Sequence, residues 1–271
     1  YNLYCTWSDL HLNRFKLRMA FVLLIALAFC ISSSHSLADI DLATLTYERG
    51  VKISGAYNSD ESGFCVTSAG DINNDGIGDV AIGAALADNT GSKLNAGIVY
   101  VVFGRSTMVN PIAFLDFSLA SFTPSATVGF KIMGAQANYL LGYSVSGGGD
   151  VNGDNIDDLI ISEHGQGTAG MAFVFFGHVQ TYSWANYDLS AFSTNSNNGF
   201  RIFGATAGDQ TSWSVRIVPD INGDNISDIM VGAPMATAMG KSTAGVVKII
   251  YGRNVAATSG FGDFQLASHV F

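Results

Sequence analysis

Asp71-Ile72-Asn73-Asn74-Asp75-Gly76-Ile77-Gly78-Asp79 is the stretch on which the fold turns, because the chain repeats it twice. It returns as Asp150-Val151-Asn152-Gly153-Asp154-Asn155-Ile156-Asp157-Asp158 and as Asp220-Ile221-Asn222-Gly223-Asp224-Asn225-Ile226-Ser227-Asp228. The three starts lie 79 and 70 residues apart, the signature of long internal repeats. Positions 1, 3, 5 and 9 carry side-chain oxygens in every copy: Asp71, Asn73, Asp75 and Asp79; Asp150, Asn152, Asp154 and Asp158; Asp220, Asn222, Asp224 and Asp228. With the backbone carbonyls of Ile77, Ile156 and Ile226 at position 7, each set suits a hard cation that takes about six to eight oxygens, water supplying the rest. Three calcium sites are therefore expected, each loop acting as a local unit. Position 6 is Gly76, Asn155 or Asn225, residue types that tolerate a left-handed backbone. An EF-hand is excluded, since position 12 is Ile82, Ile161 or Val231 instead of Glu, and the flanks read as strands.

Working outward, Gly63-Phe64-Cys65-Val66, Gly142-Tyr143-Ser144-Val145 and Ser212-Trp213-Ser214-Val215 precede the loops. An apolar run follows each loop, then a polar turn and a strand ending in Phe103-Gly104, Phe176-Gly177 or Tyr251-Gly252. A last strand comes after an insert, at Gly129-Phe130-Lys131-Ile132 and Gly199-Phe200-Arg201-Ile202, with an isolated copy at Gly50-Val51-Lys52-Ile53. Each unit thus reads as four short strands rich in Val, Ile, Phe and Tyr. Four-stranded units in series predict an all-β fold, a β-propeller. About three blades are present, fewer than closure needs, so the propeller is expected to be incomplete and the chain part of a longer protein. The pairs Asp41-Leu42, Asp116-Phe117, Asp188-Leu189 and Asp263-Phe264 are grouped as one pattern that announces the last strand.

These motifs resemble FG-GAP repeats, as found in the propeller of integrin α chains, over roughly Gly50 to Gly252. Gly232-Ala233-Pro234 matches the second element fully and Gly83-Ala84-Ala85 nearly, whereas Ser162-Glu163-His164 departs. The resemblance implies a seven-bladed propeller, metal loops on one face, ligand recognition on the other, and an extracellular setting.

Composition agrees with that setting. The 271 residues are 48% hydrophobic, enough for a sizeable core, and the acidic side has 19 Asp against three Glu. A net charge of -9 argues against nucleic acid as a partner and for cations. The 11-residue apolar run Phe21 to Ile31 is short for a membrane span but suits a signal peptide, with Ser36-Leu37-Ala38 as cleavage site and a mature start near Asp39. The organisation read is an upstream segment and signal peptide at 1–38 and a propeller fragment at 39–271. Its repeats are placed at about 50–104, 129–177 and 199–252, with a further one starting in 253–271. Cys65 is left alone in the mature chain at the place of Ser144 and Ser214, a small buried strand residue and no disulfide partner.

No catalytic centre is expected. Gly165 to Gly170 fits the dinucleotide fingerprint but leads into a strand, and Gly142-Tyr143-Ser144-Val145-Ser146 lacks the final glycine of a nucleophile elbow. His164, beside Glu163, is read as a solvated loop histidine. Asn225-Ile226-Ser227 is a glycosylation sequon inside an acidic loop, where poor use is expected.

Strand direction places the acidic loops on one face with the inserts Arg105 to Val128 and His178 to Asn198. The opposite face carries the remaining turns and offers Tyr57, Asp60, Tyr139, Asp209 and Gln210 as exposed recognition candidates. The function expected is an extracellular, adhesion-like module that binds a protein or glycan ligand, with no membrane attachment visible in this stretch. The alternatives are a non-catalytic propeller attached to a secreted enzyme, such as a glycosylphosphatidylinositol phospholipase D-like hydrolase, and a lectin-like carbohydrate binder.

Overall fold

A computed structural model describes residues 42–45, 50–89, 92–106, 115–165, 168–195, 197–255 and 261–268. The expected signal segment, with Phe21 to Ile31 and the start near Asp39, lies outside the described residues. The chain divides into two compact units, 1–46 and 47–271. Of the first, only 42–45 are described, with Leu42–Thr44 a 3₁₀ turn. Among the described residues no helix is long and apolar enough to cross a membrane.

The second unit is all-β. After the short β1 (Ile53–Ser54), the first blade comprises β2 (Cys65–Gly70), β3 (Asp79–Ala84) and β4 (Ile98–Val102). Then come β5 (Phe117–Ser118) and the blade's fourth strand, β6 (Gly129–Met133). The second blade runs through β7 (Val145–Gly149), β8 (Asp158–Glu163) and β9 (Met171–Phe175), then β10 (Tyr187–Asp188) and its fourth strand β11 (Gly199–Phe203). The third shows β12 (Ser214–Val218), β13 (Asp228–Ala233) and β14 (Val246–Ile250), followed by β15 (Phe264–Gln265). The four main strands of the first two blades pair antiparallel in chain order. The architecture is that of an incomplete β-propeller.

The blades pack face to face through two layers of core. Val99, Val101, Phe130 and Ile132 of the first blade meet Val145, Leu159 and Ile161 of the second. The other face of the second blade, with Ile160, Val174, Phe200 and Ile202, meets Val215, Ile229 and Val231 of the third. Because both faces are covered, β4 and β8 are buried at every residue, which is why β4 is a continuous apolar run and β8 carries Leu159-Ile160-Ile161 at its centre instead of an alternating pattern. Inner strands of adjacent blades also bond through small side chains. The Val145 N–H donates to Cys65 Sγ at 3.3 Å and the Val215 N–H to Ser144 Oγ at 3.1 Å, so Cys65 is a small strand residue as expected, half-buried where full burial was expected.

The inserts do more than the sequence reading foresaw. Each sends a short strand back to the outer strand of the preceding blade and pairs with it in parallel: β5 with β1, β10 with β6, β15 with β11. Phe117, Tyr187 and Phe264 lie opposite Ile53, Ile132 and Ile202, so these three are the equivalent positions. This register corrects the sequence grouping, because Asp116 and Asp263 align with Asn186, whereas Asp188 is the cap of a 3₁₀ turn. The three aligned residues act alike. Asp116 accepts the Lys52 N–H at 2.7 Å, Asn186 the Lys131 N–H at 2.9 Å, and Asp263 the Arg201 N–H at 3.0 Å. Two residues from these inserts stack on the outer strands, Trp184 on Phe130 at 4.7 Å and Phe261 on Phe200 at 4.3 Å.

Candidate functional site

In each acidic loop the carboxylates organise the backbone before any ligand is considered. Asp71 accepts the N–H groups of Asp75 and Gly76, Asp150 those of Gly153 and Asn155, and Asp220 those of Gly223 and Asn225. The Asn at position 3 accepts the N–H of position 5 at 2.9 to 3.1 Å, and the Asp at position 5 accepts the N–H of its Ile at 2.8 to 2.9 Å. Position 6 has the left-handed backbone expected, with φ of 85°, 67° and 66° for Gly76, Asn155 and Asn225. Position 4 has it too, at Asn74, Gly153 and Gly223, a second constraint that sequence reasoning missed and that the Asn/Gly usage there could have shown.

The ninth residue differs in kind. Asp79, Asp158 and Asp228 are buried, and each joins three segments by using one oxygen on the N–H of position 2 and the other on the glycine that ends the third strand. For Asp158 these bonds are Val151 N at 2.7 Å and Gly177 N at 2.9 Å; Asp79 and Asp228 make the same pair. The Phe-Gly and Tyr-Gly pairs thereby acquire a physical reason. A Cβ on Gly104, Gly177 or Gly252 would stand 2.1 to 2.3 Å from the carbonyl oxygen of position 8, so only glycine lets the strand end reach the loop. The half-buried Ile at position 7 packs against the same glycine.

The donor set fits a hard divalent cation. Each loop gathers carboxylates from positions 1, 5 and 9, an amide oxygen and a free-standing carbonyl candidate, all hard oxygens. Their charges oppose one another. Burial pushes the Asp79 carboxyl up to about 7, partly offset by the Gly104 and Ile72 N–H groups, and the charges of Asp75 and Asp71 raise it further. Asp158 is raised well above the usual carboxylate range by burial, with Asp154 and Asp150 adding to it. In all three loops the Asn side-chain N–H donates to the carboxylate of position 5, at 3.1, 3.0 and 3.0 Å, a partial positive charge among the acidic oxygens. As the side chains stand, no group of three or more His, Cys, Asp or Glu converges as a metal cluster among the described residues.

The loops are also less independent than expected. Asp157 accepts the Asp71 N–H at 2.8 Å, and the Ser227 N–H donates to the Asp150 carbonyl at 2.9 Å, so adjacent loops touch. The blade that follows covers each preceding loop: His178 N bonds the Ile72 carbonyl, and Arg253 N and Val255 N bond those of Val151 and Asn152.

On the opposite face the five candidates separate. Tyr57 is 75% exposed, and Tyr139, Asp209 and Gln210 are half-buried. Asp60 is a correction: it is buried and accepts the Tyr57 N–H at 3.2 Å, so it shapes its turn and offers nothing to a ligand. Tyr139 lines a cavity of about 240 Å³ and Asp209 one of about 160 Å³. His164 and Glu163 are a second correction, being buried where a solvated loop was expected. The His164 ring sits 4.2 Å from Tyr143 and 5.0 Å from Trp213, which with Phe64 form an aromatic row across three blades. Aligning the segments before the acidic loops could have found that row, since all three residues hold one repeat position.

With this geometry in hand, comparison with known proteins is specific. The FG-GAP repeat family model matches residues 66–102 and 212–250. Phosphatidylinositol-glycan-specific phospholipase D of Bos taurus is 29% identical over 196 residues, covering 70% of this chain and 20% of the relative. The Homo sapiens and Rattus norvegicus proteins of the same name are 28% and 26% identical over similar spans. The aligned part is thus about a fifth of these relatives' length. The middle repeat, which departs at Ser162-Glu163-His164, lies outside both family matches yet has the same strands and loop. The chain carries FG-GAP repeats, folded as blades of an incomplete β-propeller.

Proposed function

We propose that this chain is a non-catalytic, extracellular recognition module whose acidic loops bind calcium and whose opposite face binds a protein or glycan ligand. The observation that carries the reading is the threefold acidic loop with its opposed, partly buried carboxylates. Positions 1, 3, 5 and 9 and the carbonyl at position 7 of each loop would hold the ion. Bound calcium supplies the counter-charge that the carboxylates lack. The chain's own residues do the rest: Asp79, Asp158 and Asp228 fix the loop to the strand end, and the following blade covers it.

An accessory propeller of a lipid-anchor hydrolase is the second reading, favoured by the similarity to phospholipases D. In that case catalysis belongs to sequence outside the region compared, and this chain positions or selects the substrate.

Thermal melts with calcium and with chelator test the calcium reading. Saturation to about a hundredfold above Kd would raise stability by about 2.7 kcal/mol per site. Titration calorimetry of Asp75→Ala, Asp154→Ala and Asp224→Ala should count one ion fewer in each. Identical melts, or unchanged stoichiometry, would refute the assignment. Replacing the turns of the opposite face should weaken partner binding without altering the calcium-dependent melt.

A further inference from the structure

Asn225-Ile226-Ser227 is the one Asn-X-Ser/Thr sequon in the 271 residues, and it fills positions 6 to 8 of the third acidic loop. Poor use was expected for a sequon inside an acidic loop, but position 6 adds nothing to the oxygens offered to a cation, which come from positions 1, 3, 5, 7 and 9. The first loop has Gly76 there, with no side chain at all, and keeps the same internal bonds. Asp220 holds the Asn225 N–H at 2.7 Å, whereas among the described residues the Asn225 side-chain amide has no hydrogen-bond partner. Asn225 is exposed.

Room for a substituent follows from the sister repeats. A Cβ built on Gly76 meets nothing within 4 Å, so a side chain at position 6 leaves the loop toward open space. The second loop shows that a following blade leaves this position free. Its cap bonds the carbonyls of Val151 and Asn152 and brings Asn254 against Gly153, which are positions 2 to 4, and Asn155 at position 6 is still exposed. Asn155 is followed by Ile156-Asp157 and has no hydroxyl two residues on, so the third loop alone carries the acceptor pattern. The left-handed backbone of Asn225, with φ of 66°, is one that asparagine tolerates.

We propose that Asn225 is an N-glycosylation site whose glycan points away from the third acidic loop and leaves its cation ligands free. The proposal rests on the extracellular reading, since the sugar donor belongs to the secretory lumen. In the transfer, Asn225 Nδ2 bonds to the anomeric carbon of a lipid-diphosphate-linked oligosaccharide. The bond from that carbon to the diphosphate oxygen breaks, the lipid diphosphate leaves with the electron pair, and Nδ2 gives up one proton; nothing is oxidised or reduced. A bulky, hydrated glycan at this place shields the acidic-loop face around the third blade and leaves the opposite face open to a partner.

Express the full chain behind a cleavable secretory leader in eukaryotic cells, and measure the mass of the product recovered from the secretory pathway before and after peptide N-glycosidase. The leader delivers the chain to the lumen in any case, so an unmodified product counts against the site and not against the extracellular reading. One N-glycan is expected, lost on digestion. Asn225→Asp and Ser227→Ala should each be recovered without it. Both should fold, because aspartate tolerates the left-handed backbone and the Ser227 hydroxyl has no hydrogen-bond partner among the described residues. Calorimetry should count as many calcium ions in the glycosylated parent as in Ser227→Ala. A product without glycan, or a glycan that persists in both variants, overturns the proposal. So does a glycosylated parent that binds one ion fewer than Ser227→Ala. Absence of calcium from both, with the glycan in place, would overturn the calcium reading and leave the site standing.

Discussion

The middle and third blades carry nearly the same repeat in two surroundings. In the middle blade the third strand is buried along Ala172 to Phe175, at 0 to 4% exposure, whereas in the third blade Val247 and Ile249 are 66 and 46% exposed. The acidic loops diverge in the same way: Val151 and Asn152 are at 0 and 1%, but Ile221 is 50% exposed and Asn222 is open. Yet the main bonds inside the two loops recur, from the first Asp through the ninth, the middle loop adding only the Asn152 and Asp154 N–H groups on Asp150. The loop's conformation is therefore local, and its burial is a gift of the neighbour. Arg253 and Val255 of the third blade cap the second loop. Among the described residues nothing equivalent covers the third.

That contrast can be broken by mutation. The largest effect is expected at the ninth position. Asp158→Ala strands the Val151 and Gly177 N–H groups in the core and should cost about 4 kcal/mol, while Asp228→Ala should cost about 2, because water reaches the Ile221 side of the loop. Urea unfolding in chelator measures both without contribution from metal, and equal losses would mean that the neighbouring blade contributes nothing. Next comes the strand-end glycine. Gly177→Ala places a Cβ 2.3 Å from the Asp157 carbonyl oxygen and should cost about 3 kcal/mol. Gly223→Ala, with φ of 86° and open space around it, should cost about 1, and Gly223→Asn less.

Smaller effects are expected at the insert clasps, and they sharpen the comparison by asking how blades are tied. Asp263 accepts from Arg201 N, Nε and Nη2 and from Thr194 Oγ1. Asn186, its equivalent one blade earlier, accepts from Lys131 N. Asp263→Ala should therefore cost about 2 kcal/mol and Asn186→Ala about 1. Burial raises the Asp263 pKa, but the bonds from Arg201 and Thr194 outweigh it and the net shift is downward. A carboxyl depressed in the folded state stabilises above its unfolded pKa of about 3.9 and loses that contribution as pH falls through the folded value. The difference between Asp263→Ala and parent should be constant near neutrality and shrink below about pH 4, with no such trend for Asn186→Ala. A flat difference into acid would show the clasp to be packing alone.

Much of this architecture is legible in the chain because its determinants are short-range. Asp, Asn and Gly at fixed offsets write the loop, since their side chains bond backbone groups a few residues away. The apolar runs announce doubly covered strands. Asp60 and His164 were misread for the opposite reason: nothing next to them in sequence says whether a polar side chain faces water or the core. The Asp116 and Asp263 clasps were misaligned with Asp188 because the bonds that set them apart, from the Lys52 and Arg201 N–H groups, span 64 and 62 residues, whereas Asp188 caps the turn two residues on and pairs with Lys93, 95 residues away.

Three repeats, their strand order, the acidic loops with the left-handed sixth residue, and the rim that the loops share with the inserts can all be read from the chain, as consequences of side chains acting on nearby backbone and of strand alternation. Only long-range packing brings the inserts back to the preceding blade, makes the loops touch and be capped by the next blade, and buries Glu163 where the sister repeats carry alanine. Those outcomes depend on contacts between residues tens of positions apart, where burial and not local bonding sets the energy.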